Sequence, residues 1–428
     1  MKQLNGDRPN ILISHVYSSD NKGDAAILSA QISELKRVFP GGTIQIATIA
    51  QVPADYTFDD EKVLTALMYG AVMPGRSRLR KLLYTISMIP YTLLWALLQR
   101  LHVSLPLPKG WRHPLAVLKD ADLQVCVGGG YLRGRHDLTS TILLLLLVHQ
   151  IWLAKLLGKP VYLYAQSFGP YMNKLQSVIA RSGIMAASLV LVREAKSYRQ
   201  LQSLHIPEDK VVRVPDSAFL FTAPKSEHVL QLIRPKGNTD TIVGITVRSW
   251  LDKKRQSKYE AAIAALIKHI TDKPHHRVVV IPQVTSTLQN DDDRDAGARV
   301  AKLLEPRDNI VFLNQRFTHG EILSIYSTLD YLVGTRFHSV IFSLLSHVPA
   351  VAIEYEHKTS GIMQDLGLSE WVIPIEDVDA TRVTHLFDEV VRKHAIYKKQ
   401  LEETLPAYIA KARSSAEHIA QNYRARTT

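Results

Sequence analysis

The 428-residue sequence predicts an α/β protein built from two doubly wound, parallel-sheet domains. Three observations carry that expectation. Short β-rich runs alternate with segments of helical period along the whole chain, the pattern of parallel strands joined by crossover helices. The length exceeds what one hydrophobic core supports. A polar stretch with two prolines, Thr222–Thr241, carries little periodicity and divides the alternation into halves. The expected domains are therefore 1–225 and 240–428, the second ending in C-terminal helices. Two such sheets joined by a linker present their strand C-termini across a cleft, where open α/β sheets bind ligands.

In the first half, Asn10–Val16 reads as a strand and Ala25–Phe39 as the helix that follows the turn Tyr17-Ser-Ser-Asp-Asn-Lys-Gly-Asp24. Asp24 is expected as its N-cap, with Gly23 freeing the backbone just before it. Thr43–Thr48 is the second strand. Leu123–Val127 is a strand that breaks into Gly128-Gly-Gly130, and the helix Leu138–Leu157 comes next. Pro160–Ala165 is a strand ending in a Gln166-Ser-Phe-Gly-Pro170 turn. Leu189–Val192 ends in Arg193-Glu194, with a short helix over Ser197–Leu204, and Val211–Val214 ends in Pro215-Asp216. In the second half the expected strands are Thr241–Val247, Arg277–Ile281, Ile310–Leu313, Tyr331–Val333 and Ala350–Ile353. Helices are expected over Tyr259–Ile270, Asp293–Leu304, His319–Thr328 and Val340–Ser346, with a mostly helical tail over Thr381–Tyr423.

Composition narrows the class. Hydrophobic residues at 46% and charged residues at 21% describe a packed globular chain and exclude a disordered or fibrous one. A formal charge of +12 suits anionic partners, or simply a solvated basic surface. No Lys/Arg run interleaves with aromatics, so no nucleic-acid partner is expected. The single cysteine, Cys126, sits in an apolar strand and reads as buried, in keeping with a reducing compartment. The N-terminal residues lack the apolar core of a signal peptide, and a cytoplasmic location is expected. Two apolar stretches test this. Leu138–Leu157, interrupted by His149, Gln150 and Lys155, reads as a buried helix. In Arg76–His102, the basic residues Arg76, Arg78, Arg80 and Lys81 precede Leu82–Leu98, with Pro90 in the middle. That stretch fits peripheral contact with the inner face of a plasma membrane, or a helical hairpin in the core.

The residues that could carry chemistry stand at strand ends. Gly334-Thr-Arg-Phe-His-Ser339 presents Arg336 and His338 just before a helix, joining an anion-binding fork to a group that titrates near neutral pH. Glu354-Tyr-Glu-His-Lys358 follows the next strand. There Lys358 could complete an anion pocket and Glu354 or Glu356 act as a base, or the segment is a solvated charge cluster. In the first half, Asn21-Lys-Gly-Asp24, Gly128-Gly-Gly130, Gln166 and Arg193 all end strands, and glycine turns let a backbone approach a ligand closely. The triple glycine lacks the Lys-Ser/Thr of a phosphate loop. Asp291-Asp-Asp293 looks metal-friendly but has no histidine at ligand spacing, so a polar loop competes and no metal site is expected.

Taken in order, these motifs resemble the polysaccharide pyruvyl transferase family, in particular its colanic-acid-type branch. The matching stretches are Asn21-Lys-Gly-Asp24, Val127-Gly-Gly-Gly130, Gln166-Ser-Phe-Gly-Pro170, Val192-Arg-Glu194 with Ser197, Pro215-Asp216, Gly334–Ser339 and Glu356-His-Lys358 with Ser360-Gly-Ile-Met363. The resemblance implies two Rossmann-like domains facing a cleft, as in GT-B glycosyltransferases. It implies phosphoenolpyruvate as co-substrate, a saccharide or lipid-linked saccharide as acceptor, and a pyruvate ketal as product. By motif, Arg193, Arg336, His338 and Lys358 fall where the family binds the donor and catalyses, with Ser339 beside them. Asn21, Asp24, Gly129, Gly130 and Gln166 would face the acceptor. No step of that chemistry calls for a metal or redox cofactor. Two other readings remain open: a GT-B glycosyltransferase with a nucleotide-sugar donor, and a non-catalytic membrane-associated assembly factor.

Overall fold

The structure, a computed structural model, describes residues 8–17, 19–286, 291–356 and 358–427. It divides into two compact units. The first is made from residues before Ser19, from Ile27–Ser217 and from the segment that begins at Lys411. The second is made from Ser19–Ala26 and Ala218–Ala410. Two exchanges separate this division from one at 1–225 and 240–428. Ser19–Ala26 joins the second unit because Asn21 forms a β-bridge with Val284 and the Lys22 amide donates to the Gln283 carbonyl at 3.2 Å. The C-terminal segment joins the first because the Tyr423 ring packs edge-on against Phe39 and Arg424 Nη2 donates to the Val38 carbonyl at 2.9 Å.

The first unit's sheet runs in the spatial order Thr57–Phe58, Glu61–Thr65, Thr43–Thr48, Asn10–Val16, Leu123–Cys126, Val161–Phe168, Leu189–Val192, Val211–Arg213. Gly129–Leu132 pairs alongside Val161–Phe168, and every pairing is parallel except the short first one. The second unit's sheet is parallel throughout, in the order Ile310–Phe312, His276–Val280, Thr241–Thr246, Tyr331–Gly334, Ala350–Glu354, Val372–Pro374. In each sheet the chain starts in the middle, winds out to one side, then returns and winds to the other. The reversal falls between Asn10–Val16 and Leu123–Cys126 in the first unit, and between Thr241–Thr246 and Tyr331–Gly334 in the second. Ligands of doubly wound sheets bind just outside the carboxyl ends of such a strand pair. These strands are made almost wholly of buried branched residues, as a sheet covered on both faces demands.

Three elements depart from expectation. Val161–Phe168 continues through Gln166 as strand, because Gly129–Leu132 gives its far end a partner. The first helix begins at Lys22, three residues ahead of the apolar periodicity. Arg78–Arg100 is one continuous helix that runs through Pro90, not a hairpin. It and Leu138–Leu156 are both long and apolar enough to cross a membrane by length and composition. The latter is a core helix: Leu144, Leu146, Leu147, Val148 and Ile151 are fully buried, as expected.

Candidate functional site

At the switch point of the second unit, Thr246 lies opposite Gly334, and the chain leaves both strands towards arginines. Thr246 Oγ1 accepts from the amides of Thr335 at 2.9 Å and Arg336 at 3.3 Å. It also meets Ser339 Oγ at 3.0 Å, while Ser339 Oγ donates to the Arg336 carbonyl at 2.5 Å. The turn between strand and helix is thus locked from both sides. Ser339, a candidate donor ligand by motif, is fully buried and spends its hydroxyl on that lock.

Arg336 is buried and gripped by two carboxylates. Its Nε reaches the Asp293 oxygens at 2.9 and 3.2 Å, and Nη2 reaches Asp293 Oδ1 at 2.6 Å and Asp291 Oδ1 at 2.5 Å. Nη1 donates to Asp291 Oδ2 at 3.2 Å, which leaves this nitrogen one further hydrogen. Asp293 in turn accepts from the amides of Gln283 and Val284, both at 2.9 Å. Burial alone would lower the Arg336 pKa, but Asp293 and Asp291 raise it above the ordinary value. Burial likewise would raise Asp291, yet hydrogen bonds and charge from Arg336, then from Arg248, hold it below the carboxylate range. The Asp291–Asp293 run therefore serves guanidinium groups. Among the described residues, no group of three or more His, Cys, Asp or Glu could hold a metal.

Arg248, which motif reading missed, shares Asp291 at 3.4 Å. Its guanidinium sits 4.2 Å from the Tyr355 ring centroid and 4.6 Å from that of Trp250, a cation between aromatic faces. Its Nε is buried with no hydrogen-bond partner among the described residues. Lys358 Nζ lies 3.1 Å from Glu356, 5.1 Å from the Phe337 ring and 5.9 Å from Tyr355. Three cations, Arg248, Arg336 and Lys358, are thus interleaved with three carboxylates. The signal that could have found Arg248 was its place just past a switch-point strand. His357 lies outside the described residues.

His338 stands in the first turn of the helix Phe337–Leu345, its ring 4.9 Å from that of Phe337. It closes on the start of the Lys22–Val38 helix, so Asn21, Lys22 and Asp24 belong to the second unit. Asn21 caps that helix in place of Asp24. Its Oδ1 accepts from the amides of Gly23 at 3.1 Å and Asp24 at 3.4 Å, as a residue one step before the helix must. Asp24 Oδ2 accepts from Asn21 Nδ2 at 2.9 Å. Lys22 is buried, with Nζ donating to the Ser19 carbonyl at 3.1 Å. Burial chiefly lowers its pKa, Asp20 opposing, Arg316 adding and Glu321 opposing.

The other motif residues belong to the first unit. Arg193 Nε donates to Ser167 Oγ at 2.7 Å, and Nη1 pairs with Asp216. Ser167 also donates to Glu194 at 2.9 Å, and the Phe168 amide donates to Ser197 Oγ at 2.8 Å. These motif residues form one buried network. Gln166 Nε2 donates to the carbonyls of Cys126 at 3.2 Å and Val127 at 2.9 Å, holding the entry to the glycine turn. A β-carbon on Gly128 would meet Gln31 Nε2 at 2.8 Å and the Tyr164 carbonyl at 2.9 Å; on Gly130 it would meet open space. Gly129 takes a φ of 141°. Cys126 is buried, which pushes its thiol up to about 12 and makes it inert as a nucleophile.

Comparison with known proteins places these features. The family described as polysaccharide pyruvyl transferase matches residues 21–357. The amylovoran biosynthesis protein AmsJ of Erwinia amylovora is 28% identical over 233 residues, 53% of this chain and 56% of that protein. The match thus spans little more than half of that relative's length. Among solved structures, UDP-GlcNAc 2-epimerase from Neisseria meningitidis, bound to UDP-GlcNAc, has a TM-score of 0.58 at 12% identity, covering 96% of this chain and 99% of that one. Anabaena Alr3699/HepE in complex with UDP and glucose has a TM-score of 0.56 at 12% identity, covering 97% and 99%. At such identities the likeness is one of fold: two Rossmann-like domains of the GT-B kind.

Proposed function

Because the chain belongs to the polysaccharide pyruvyl transferase family, we propose that it moves an enolpyruvyl unit from phosphoenolpyruvate onto sugar hydroxyls, closing a pyruvate ketal on an exopolysaccharide or its lipid-linked precursor. The observation that carries this reading is the gathering of Arg248, Arg336 and Lys358, with His338 on the adjoining turn, around one switch point. Phosphoenolpyruvate brings a carboxylate and a phosphate, and a compact set of cations at strand ends suits such a donor.

In this reading His338 protonates the methylene carbon of the donor. One sugar hydroxyl adds to the oxocarbenium-like centre that results. A second hydroxyl then displaces phosphate, so that one donor and one diol become one ketal and one inorganic phosphate. Lys358 and Arg248 turn from Glu356 and Asp291 to the donor, and Arg336 contributes its remaining Nη1 hydrogen. Arg193 fixes its strand end through Asp216 and Ser167. Asn21, Asp24, Gly129 and Gly130 line the approach of the acceptor, and Gln166 holds the glycine turn in shape. With this donor the reaction belongs in the cytoplasm.

The test is inorganic phosphate release from phosphoenolpyruvate across a panel of saccharide and lipid-linked saccharide acceptors, with the product checked by mass for one added ketal. Acceptor-dependent phosphate release supports the reading. Release of UDP from a UDP-sugar, with phosphoenolpyruvate left intact, replaces it with glycosyl transfer.

A further inference from the structure

The helix Arg78–Arg100 exposes a row of apolar side chains from end to end. Leu79, Leu83, Ile86, Leu94 and Leu97 are each between 48% and 65% exposed, and Pro90 and Leu101 continue the same row. Steps of three and four residues put all seven on one face. A soluble surface seldom carries so long an uncovered apolar row without a use for it. The opposite face is occupied. Met88, Thr92 and Ala96 are fully buried, Tyr84 Oη donates to the Leu67 carbonyl at 2.9 Å, and Thr92 Oγ1 meets His149 Nε2 at 2.8 Å. Those contacts bind the helix to the first unit's core, so it cannot leave to span a bilayer.

Charge identifies what covers the free face. Residues 62–119 contain nine Lys and Arg and no Asp or Glu, leaving 43 basic against 40 acidic residues in the rest of the chain. Most of the net +12 therefore resides in this one stretch. Arg78, Arg80 and Arg100 are exposed at the two ends of the helix, and among the described residues none pairs with a carboxylate. A second copy of the chain fits badly, because a two-fold contact would set this acid-free surface against itself. The geometry points to an anionic lipid surface as the occupant. The helix lies along the bilayer interface, its leucines in the acyl boundary and its terminal arginines among the headgroups.

The experiment is sedimentation of the full chain with vesicles of phosphatidylcholine alone, and of phosphatidylcholine mixed with phosphatidylglycerol. Binding to the mixed vesicles, weakened by salt, is expected. Leu83→Glu with Ile86→Glu should lower it by roughly tenfold or more, and Arg78→Gln with Arg80→Gln by about tenfold. Both pairs are exposed, so unchanged circular dichroism and thermal midpoint verify folding. Failure of the folded chain to bind mixed vesicles overturns the assignment, as does equal binding by the leucine-face variant. A solution dimer that Leu83→Glu dissolves, without vesicle binding, gives the face to a second copy instead. None of these outcomes depends on the pyruvyl-transfer reading.

Discussion

The imidazole of His338 stands where a side chain on Gly23 would begin: a β-carbon there would lie 2.0 Å from its Nδ1. The turn that opens the first helix and the turn that follows Tyr331–Gly334 are therefore shaped by a single contact within the second unit. Alanine at position 23 must push either the ring or the helix start aside. Displacing a proton donor by about 1 Å costs on the order of a hundredfold in rate. Gly23→Ala should lose about that much phosphate-releasing turnover. Gly110→Ala, whose added carbon meets nothing within 4 Å, is the control. Full turnover in Gly23→Ala would remove His338 from the chemistry.

Arg336 and Lys358 sit in one cluster but should fail differently. Removing Arg336 strands Asp293, which is almost fully buried, and breaking a buried pair from one side costs about 3–5 kcal/mol. Lys358 is partly exposed beside Glu356, a pair whose loss costs under about 1 kcal/mol. Arg336→Ala should lower the unfolding midpoint strongly, whatever it does to activity. Lys358→Ala should keep the midpoint and raise the KM for phosphoenolpyruvate by about tenfold, the worth of one charge-assisted hydrogen bond. An unchanged KM in Lys358→Ala would take this lysine out of the donor site.

Gly128 offers a test in the first unit. Two of the atoms that would meet its β-carbon, the carbonyls of Tyr164 and Ala165, are backbone in a central strand and have nowhere to go. Gly128→Ala should destabilise the first unit by about 1–3 kcal/mol, the usual cost of overpacking. Gly130→Ala, opening onto free space, should not. Denaturant midpoints of the two variants decide the matter.

What could be read from the chain beforehand follows from the range of the interactions involved. Asn10–Val16, Thr43–Thr48 and Leu189–Val192 lie where runs of branched residues alone put them, because a buried parallel strand needs little else. Arg336 and His338 were visible as a strand-end motif. The carboxylates that hold Arg336 were not, since Asp291 and Asp293 come from more than forty residues away and look, locally, like a polar loop. Gln166 reads as a turn residue until Gly129–Leu132 is known to extend the sheet beside it. Pro90 reads as a break, yet the helix passes through it on its exposed side.

Two buried histidines in the first unit make its stability depend on pH. His149 is fully enclosed on the Leu138–Leu156 helix, and burial lowers its pKa from 6.5 to about 3. Burial also lowers His15, to about 4, against the opposing effect of its contact with the Leu147 carbonyl at 3.0 Å. Both folded values lie below the unfolded one, so the unfolded chain takes up the protons first. Stability from these sites is complete above 6.5 and is lost as pH falls towards the folded values. Going from near pH 7.5 to about pH 5 should cost roughly 2 kcal/mol per histidine. Urea midpoints of the chain and of His15→Gln with His149→Gln, measured at both pH values, give the comparison. The variant starts lower but should fall less on acidification. Equal falls would mean that neither imidazole is kept neutral by its burial.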